Sequence, residues 1–598
     1  MNFRHDIQIL RGVAVLFVVL FHLGVSSIKS GFLGVDVFFV ISGFLMAVLY
    51  SDTDIKGFYL RRAKRLLPSY YVIIFCTLVV SFIINTPNET NQVLNQVLYG
   101  SGFLSNIGFW LQNSYFSKAE FNPLLHLWSL GVEIQFYIFV PLLAYFFKKS
   151  SLNFFLIALS SLMLCFLILP ISPKTSFFMM PLRVWQFLLG YGAALYFTNN
   201  GNVKYINLNW LGCIGLFLIL LIPFFQVDGQ SLNIYAGHPG LVSFLVCIAT
   251  CLVLIFGVPQ TIENNKISMM LVFLGKYSYS IYLVHFPVIV LYLSEPFGGT
   301  ILEIPSLIDG FVIISLIVSF SYLLYHFVET QTFKLGVVKS SIGFTAAILA
   351  MILFLPLLKS YFTSSQESKI FNAFTDRSPY RCGKLVRVLD PSAISCKLST
   401  SLQDVDYSVL LVGNSHADSI KTAFSKVAEK NNISTYFLVQ NNPLMPGGMD
   451  SGRIIAEATL KGVKHIVVHF SPNAISSEAL TQLVSLAQNN NISVTFIEPV
   501  PVWSKHIPME MFSELNGKDS DLHQTKDDYL SANKSFLNNL YKLDSPNFNI
   551  VHVVDYFCKP DCVYKSDNGT PLYFDSGHLT LTGSKLLESA FKKALFIN

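Results

Sequence analysis

Apolar residues gather into runs long enough to cross a bilayer, about 17–25 residues each, near positions 9–27, 32–50, 69–85, 132–147, 153–171, 181–197, 207–225, 240–257, 269–293, 311–328 and 340–361. That pattern predicts eleven transmembrane helices. After Tyr361 the runs stop. A polar stretch near 362–380 is followed by short apolar strands alternating with amphipathic segments: DYSVLLVG at 406–413, ISTYFLV at 433–439, VKHIVVHF at 463–470, ISVTFIEP at 492–499 and FNIVHVVD at 548–555. This second pattern predicts an α/β domain built on a mainly parallel sheet. The expected fold is therefore a polytopic α-helical membrane domain followed by an extracytoplasmic α/β domain.

Composition sharpens the division. Of 598 residues, 52% are hydrophobic and 13% charged, against about 25% charged in an ordinary soluble domain. Positions 1–361 hold 32 charged residues and positions 362–598 hold 45, which excludes a single soluble globule. A formal net charge of +5, thinly spread, also argues against a nucleic-acid partner. The first apolar run lacks a small-residue cleavage site and is expected to be retained as a span.

Lysine and arginine favour cytoplasmic loops. Twelve fall in the N-terminal tail and even-numbered loops and four in the odd-numbered loops and at the outer end of the last span. The N-terminus is then cytoplasmic, and an odd number of spans carries the α/β domain across. Cysteine usage bears on the same point. Cys76, Cys165, Cys213, Cys247 and Cys251 lie in spans, whereas Cys382, Cys396, Cys558 and Cys562 all fall in the second domain. An even number there suits disulfides in an oxidising compartment. Closeness in sequence favours Cys382 with Cys396 and Cys558 with Cys562. A zinc site is the competing reading, but only one pair is closely spaced and no histidine flanks it at ligand distance; no metal is expected.

Ionisable groups inside spans are costly and so are functional candidates. Arg11 and His22 are eleven residues apart, which returns to one face of a helix about three turns on. Arg61, Arg62, Lys64 and Arg65 precede the third span; such a cluster is an ordinary topology signal and also suits a phosphate-bearing ligand. Asp36 in GFLGVDVFFVISGF, His126, Ser129 and Glu133 in HLWSLGVEIQFY, His285 in YSIYLVHFP and Glu329 in YHFVET complete the set. Together they imply a polar path through the bilayer.

These segments resemble the membrane acyltransferase 3 family. The basic residue, ten residues, then histidine pattern is met by Arg11 and His22, and GFLGVDVFFVISGF, the RAKR at 62–65, HLWSLGVEIQFY, LRVWQFLLG and YSIYLVHFP follow in the family's order. VETQTF at 328–333 departs from the family's valine, glutamate, lysine, proline, while Glu329 is kept. The resemblance assigns 1–335 to an acyltransferase domain with ten spans, leaving 336–380 as an eleventh span and linker and 381–598 as the outer domain. It implies acyl transfer out of the cytoplasm, typically of acetyl from acetyl-CoA as donor substrate, with no permanently bound cofactor. Arg11 and His22 would be the essential pair, Arg62 and Arg65 would engage the donor, and Glu133 is a further candidate.

In the second domain the first strand runs into Gly413, Asn414, Ser415, His416, Ala417 and Asp418. A serine at a strand-to-helix turn stands above the carboxyl ends of the strands, near a helix N-terminus able to stabilise an oxyanion; alone, it is as readily an N-cap. YFDSGHLTLTG supplies Asp575 and His578, so nucleophile, base and orienting acid are all available. The two blocks resemble those of the SGNH hydrolase superfamily. Asn414 stands where the family has aspartate, and no clear block supplies an oxyanion asparagine, with Asn473, Gly447 and Gly448 only as guesses.

The fusion of the two domains implies O-acetylation of a cell-envelope polysaccharide or lipid-linked glycan, such as lipopolysaccharide O-antigen, by a protein of the bacterial cytoplasmic (inner) membrane embedded among its lipids, with its C-terminal domain periplasmic. The alternatives are a peptidoglycan O-acetyltransferase, a glycan esterase or deacetylase, and a transporter with an appended binding domain.

Overall fold

The computed structural model describes residues 4–112, 120–199, 208–229, 231–263, 265–331, 336–379, 382, 393–398, 405–439, 443–446, 448–519, 522–543 and 545–596. It divides into two compact units, Met1–Lys359 and Ser360–Asn598. The 336–380 segment is split between them.

Every apolar run of the first unit is helical: α1 (His5–His22), α2 (Gly34–Leu49), α3 (Ile55–Ile84), α4 (Leu127–Lys149), α5 (Ser151–Ile168), α6 (Val184–Asn199), α7 (Asn209–Leu221), α8 (Leu241–Phe256), α9 (Lys266–Tyr292), α10 (Leu307–Leu324) and α11 (Val337–Phe362). Among the described residues, eight helices are long and apolar enough to cross a membrane. Of the eleven expected spans these are eight; α6, α7 and α8, at 16, 13 and 16 residues, are not among them. The unit is that of a multi-pass membrane protein.

Lipid gives little hydrophobic drive between helices, so tight crossings depend on small residues. Two crossings are of this kind. A Cβ on Gly12 of α1 would stand 2.1 Å from Leu271 O on α9, and one on Gly275 of α9 the same distance from Gln8 O. Gly43 of α2 and Gly190 of α6 make the equivalent pair, 1.8 Å from Phe187 O and 1.9 Å from Val40 O. The first crossing sets α1, which carries Arg11 and His22, against α9, which carries His285.

The second unit carries one six-stranded sheet. Its strands are β1 (Ser395–Lys397), β2 (Tyr407–Gly413), β3 (Ile433–Leu438), β4 (His465–His469), β5 (Ser493–Ile497) and β6 (Phe548–Val551). They are ordered β1-β3-β2-β4-β5-β6. All neighbours are parallel except β1 with β3. β1 is absent from the sequence-based reading because three residues, Ser-Cys-Lys, show no apolar alternation. The chain leaves β2 for β3 on one side and returns to β4 on the other, which makes the carboxyl end of β2 a switch point, where open α/β sheets place their sites. Disulfides join Cys382 to Cys396 and Cys558 to Cys562.

Candidate functional sites

β2 ends at Gly413, and the helix Ser415–Lys430 begins two residues later. Gly413 is required there: a Cβ would lie 1.8 Å from His469 O on the adjacent strand. Asn414, not Ser415, is the N-cap, its side chain accepting from His416 N. The same amide holds the loop after β4, donating to Ser471 Oγ at 2.8 Å. With capping delegated to Asn414, the Ser415 hydroxyl is left for another partner.

That partner is His578, whose Nε2 lies 2.7 Å from Ser415 Oγ. His578 Nδ1 lies 2.7 Å from Asp575 Oδ2, and the other oxygen of Asp575 accepts from the backbone N–H of Gly577 and His578 at 2.8 and 2.7 Å. The acid, base and hydroxyl thus form one chain with the geometry of a nucleophilic triad. Burial alone would raise the pKa of Asp575; the hydrogen bond and charge of His578 and the two N–H donors outweigh it and hold the carboxyl down at about 2. Because this lies below the unfolded value, the stabilisation is present above about pH 3.8 and is lost as pH falls through about 2. The difference in urea midpoint between wild type and Asp575→Asn is therefore expected to be full at pH 6 and to close between about pH 4 and pH 2; a gap still open at pH 2 would contradict the assignment.

His416 is buried beside the triad, with its ring centroid 4.4 Å from that of His578. Burial first, then the charges of His578 and His469, keep it well below the ordinary imidazole range. It is therefore neutral and sets no second positive charge against His578 when that ring is protonated. Among the oxyanion-hole guesses, Gly448 has its N–H committed to Met445 O at 2.9 Å. Gly447 lies outside the described residues, and Asn473 sits with φ +57° in the loop after β4.

The stretch expected as linker belongs to this site. Ser364 and Glu367 form a capping box on the helix Ser365–Asn372, and Phe371 packs on Phe512 with centroids 5.3 Å apart. Beyond it, Asp376 accepts from Leu581 N through its carbonyl and from Thr582 N through its carboxylate, at 2.7 and 3.1 Å. The Arg377 guanidinium lies over Phe374 and Phe574, and Phe574 stacks on His578 with planes 15° apart. Ser378 Oγ donates to Ser419 O on the Ser415 helix. One strap thus braces both elements that carry the triad.

In the helical unit, Arg11, Arg62, Arg65 and Glu133 line one pocket with Ser42, Ser129, Tyr137, Tyr279 and Tyr282. Ser42 and Tyr137 both donate to the Glu133 carboxylate. Arg62 Nε is buried with no hydrogen-bond partner among the described residues, which suits an anionic ligand. Glu329, bonded to Ser280 at 2.6 Å, lies within electrostatic reach of Arg11 and Arg65.

His22 is not part of the pocket lining. It is the last residue of α1, and Tyr282, which lines the pocket, bonds Ser129 Oγ at 2.6 Å and His126 O at 3.0 Å through its hydroxyl. His22 meets His285, with His126 beside the latter; centroids are 5.2 Å apart for His22 and His285 and 5.6 Å for His126 and His285.

Asp36 stands elsewhere. It is fully buried, and it accepts from Arg183 at 3.0 Å, Gln186 at 2.9 Å and Ser243 at 2.8 Å, with His238 Nε2 at 2.9 Å. All of its capacity is spent inside the protein, so Asp36 is an anchor between α2, the start of α6 and α8 and is removed from the polar path. Arg183 and Gln186, both within LRVWQFLLG, are not among the residues that the sequence marks as candidates. Arg183 just ahead of α6 and Gln186 in its first turn, three residues apart in an otherwise apolar run, are the available signal.

The second unit has the sheet and serine relay of an SGNH-type module, and the first is a bundle of apolar helices with a charged pocket. A family model described as an acyltransferase domain matches residues 4–326, more than half of the chain, and one described as an SGNH domain fused to AT3 domains matches 381–593. The chain belongs to the acyltransferase 3 family, in its SGNH-fused form. A Staphylococcus aureus (strain MSSA476) protein named "Putative O-acetyltransferase SAS0844" is 33% identical over 363 residues, which cover 56% of this chain and 58% of that relative. The chain thus spans little more than half the length of the first such relatives. "O-acetyltransferase OatA" of S. aureus (strain MRSA252) is 28% identical over 98% of this chain and 95% of its own. A solved lipopolysaccharide acetyltransferase periplasmic domain from Salmonella ser. Paratyphi A aligns with 32% of this chain and 85% of its own at 17% identity, with a TM-score of 0.28.

Proposed function

We propose that this chain is an O-acyltransferase that moves an acyl group, acetyl by analogy with the names its relatives carry, from cytoplasmic acetyl-CoA to hydroxyls of an extracytoplasmic glycan. The observation that carries the reading is the presence in one chain of a cationic pocket with an unsatisfied arginine and a serine hydroxyl hydrogen-bonded to a histidine–aspartate pair. Arg62 and Arg65 would hold the donor's phosphates, since guanidinium forks match phosphate oxygens, while Arg11 and Glu133 line the same pocket. His22, with Arg11 the essential pair that the family resemblance implies, would act on the thioester end. In the outer domain Ser415 Oγ attacks the delivered acyl carbon as His578 takes its proton; the bond from that carbon to the group that carried it breaks, and His578 passes the proton to that leaving group and is again a free base. The sugar hydroxyl then displaces Ser415 as His578 deprotonates it and returns the proton to the serine.

The reading places the protein in the bacterial cytoplasmic membrane, N-terminus inside, with all eleven apolar helices crossing and the SGNH unit outside. That orientation follows from the skew of lysine and arginine toward the even-numbered loops. Envelope polysaccharide, with lipopolysaccharide O-antigen ahead of peptidoglycan, is the acceptor. The test is mass spectrometry of both polymers from cells with and without the chain. An acetyl increment on one of them, lost in both His22→Ala and Ser415→Ala, is expected. If Ser415→Ala leaves the glycan more acetylated, the outer domain is an esterase; if loss of Ser415 changes nothing, transport is the better reading.

A further inference from the structure

His22 Nδ1 lies 2.9 Å from the carbonyl oxygen of Val18, one turn earlier on α1. On α9, His285 Nδ1 lies 2.7 Å from the carbonyl oxygen of Tyr282. A carbonyl only accepts, so each Nδ1 carries a proton. A neutral imidazole has one such proton, which leaves His285 Nε2 as an acceptor, and that atom lies 3.3 Å from His22 Nδ1.

The three contacts have one consistent assignment, in which the Nδ1–H of His22 is shared between Val18 O and His285 Nε2. A proton on His285 Nε2 would point at an N–H. Removing the proton from His22 Nδ1 would set its lone pair against a carbonyl oxygen. The nitrogen left over is Nε2 of His22, which makes no hydrogen bond within the described residues. The rings of Phe21 and Phe286 flank the imidazole at 5.2 and 4.9 Å and restrict its tilt.

We infer that His285 is a positioning residue for acyl transfer: by accepting from Nδ1 it holds His22 in the Nδ1–H tautomer and so presents Nε2, with its lone pair, to the acyl group. Which ring nitrogen reacts is set by the bond that the other one makes. The inference rests on the proposed role of His22 and deepens it by naming the reacting atom.

The test uses the full-length protein in bilayers with 15N-labelled histidine, the His22 signals being those lost in His22→Gln. Wild type is expected to show His22 protonated on Nδ1 and bare on Nε2, and His285→Leu a measurable share of the Nε2–H tautomer, because Val18 O is then left alone to hold the Nδ1 proton. Turnover of His285→Leu should fall about 10- to 100-fold, the scale seen when a histidine loses its orienting partner, with KM for acetyl-CoA unchanged. His285→Gln, whose amide oxygen accepts in place of Nε2, should stay within about threefold of wild type in turnover number. A wild-type His22 carrying its proton on Nε2 overturns the inference, and so do Leu and Gln variants that turn over at the same rate. Full transfer by His22→Ala would instead overturn the proposed role of His22 and leave the tautomer assignment standing.

Discussion

Ser415→Ala is expected to lower acyl transfer to the glycan by about 10⁴-fold or more, and His578→Ala to do the same, while the double variant is no worse than either. The reason is geometric. Ser415 Oγ, His578 and Asp575 form a single hydrogen-bonded chain with 2.7 Å at each link, in which His578 moves the proton and Asp575 orients the imidazole, so removing one member disables the others. Asp575→Asn is expected to cost about 10⁴-fold in turnover. The amide that this substitution introduces can donate to His578 Nδ1, favouring the tautomer whose Nε2 already bears a proton and cannot accept one from Ser415. Transfer from labelled acetyl-CoA to glycan in membrane vesicles measures all four variants. A Ser415→Ala protein within tenfold of wild type would remove the serine from the reaction, and additive losses would show that the three residues do not act together.

The largest loss of stability is expected at Asp36. Its carboxylate faces Arg183, and both side chains have zero exposure. Deleting one partner of such a pair leaves the other charge buried, a cost of about 3–5 kcal/mol. Arg183 is held in addition by Phe177 O at 3.1 Å and by the faces of Trp128 and Phe177, so it cannot swing out to solvent when the aspartate is gone. Asp36→Ala should therefore lower the unfolding free energy of the detergent-solubilised protein by about that amount, and Asp36→Ala with Arg183→Leu should recover part of it, because the second change removes the stranded charge. Equal destabilisation by the single and double variants would show that His238, Gln186 and Ser243 matter more than the ion pair.

The contrast between these two sites shows how far sequence carried the reading. Ser415, Asp575 and His578 were legible because each sits at a local signal, a strand-to-helix turn or a three-residue spacing, and the chemistry needs those residue types together. Asp36 was equally conspicuous as a charge in an apolar run, but its partner lies 147 positions away, and a residue's type cannot say whether it faces a path or a partner. The helices themselves were read from apolar runs alone, yet run length did not separate the eight long ones from α6, α7 and α8. The stretch 362–380 has little apolar content to mark an element, yet Ser364 and Glu367 carry the spacing of a capping box. His22 and Arg11 share a helix face, but Arg11 lines the charged pocket and His22 packs on His285 and Phe286, a division only packing reveals.

The bracing of His578 by Asp376, Arg377 and Phe574 has a consequence for how such enzymes can be rebuilt. Swapping SGNH domains between relatives requires a seam ahead of Ser364. A junction at Arg381, where the fused-domain match begins, would graft His578 without its buttress.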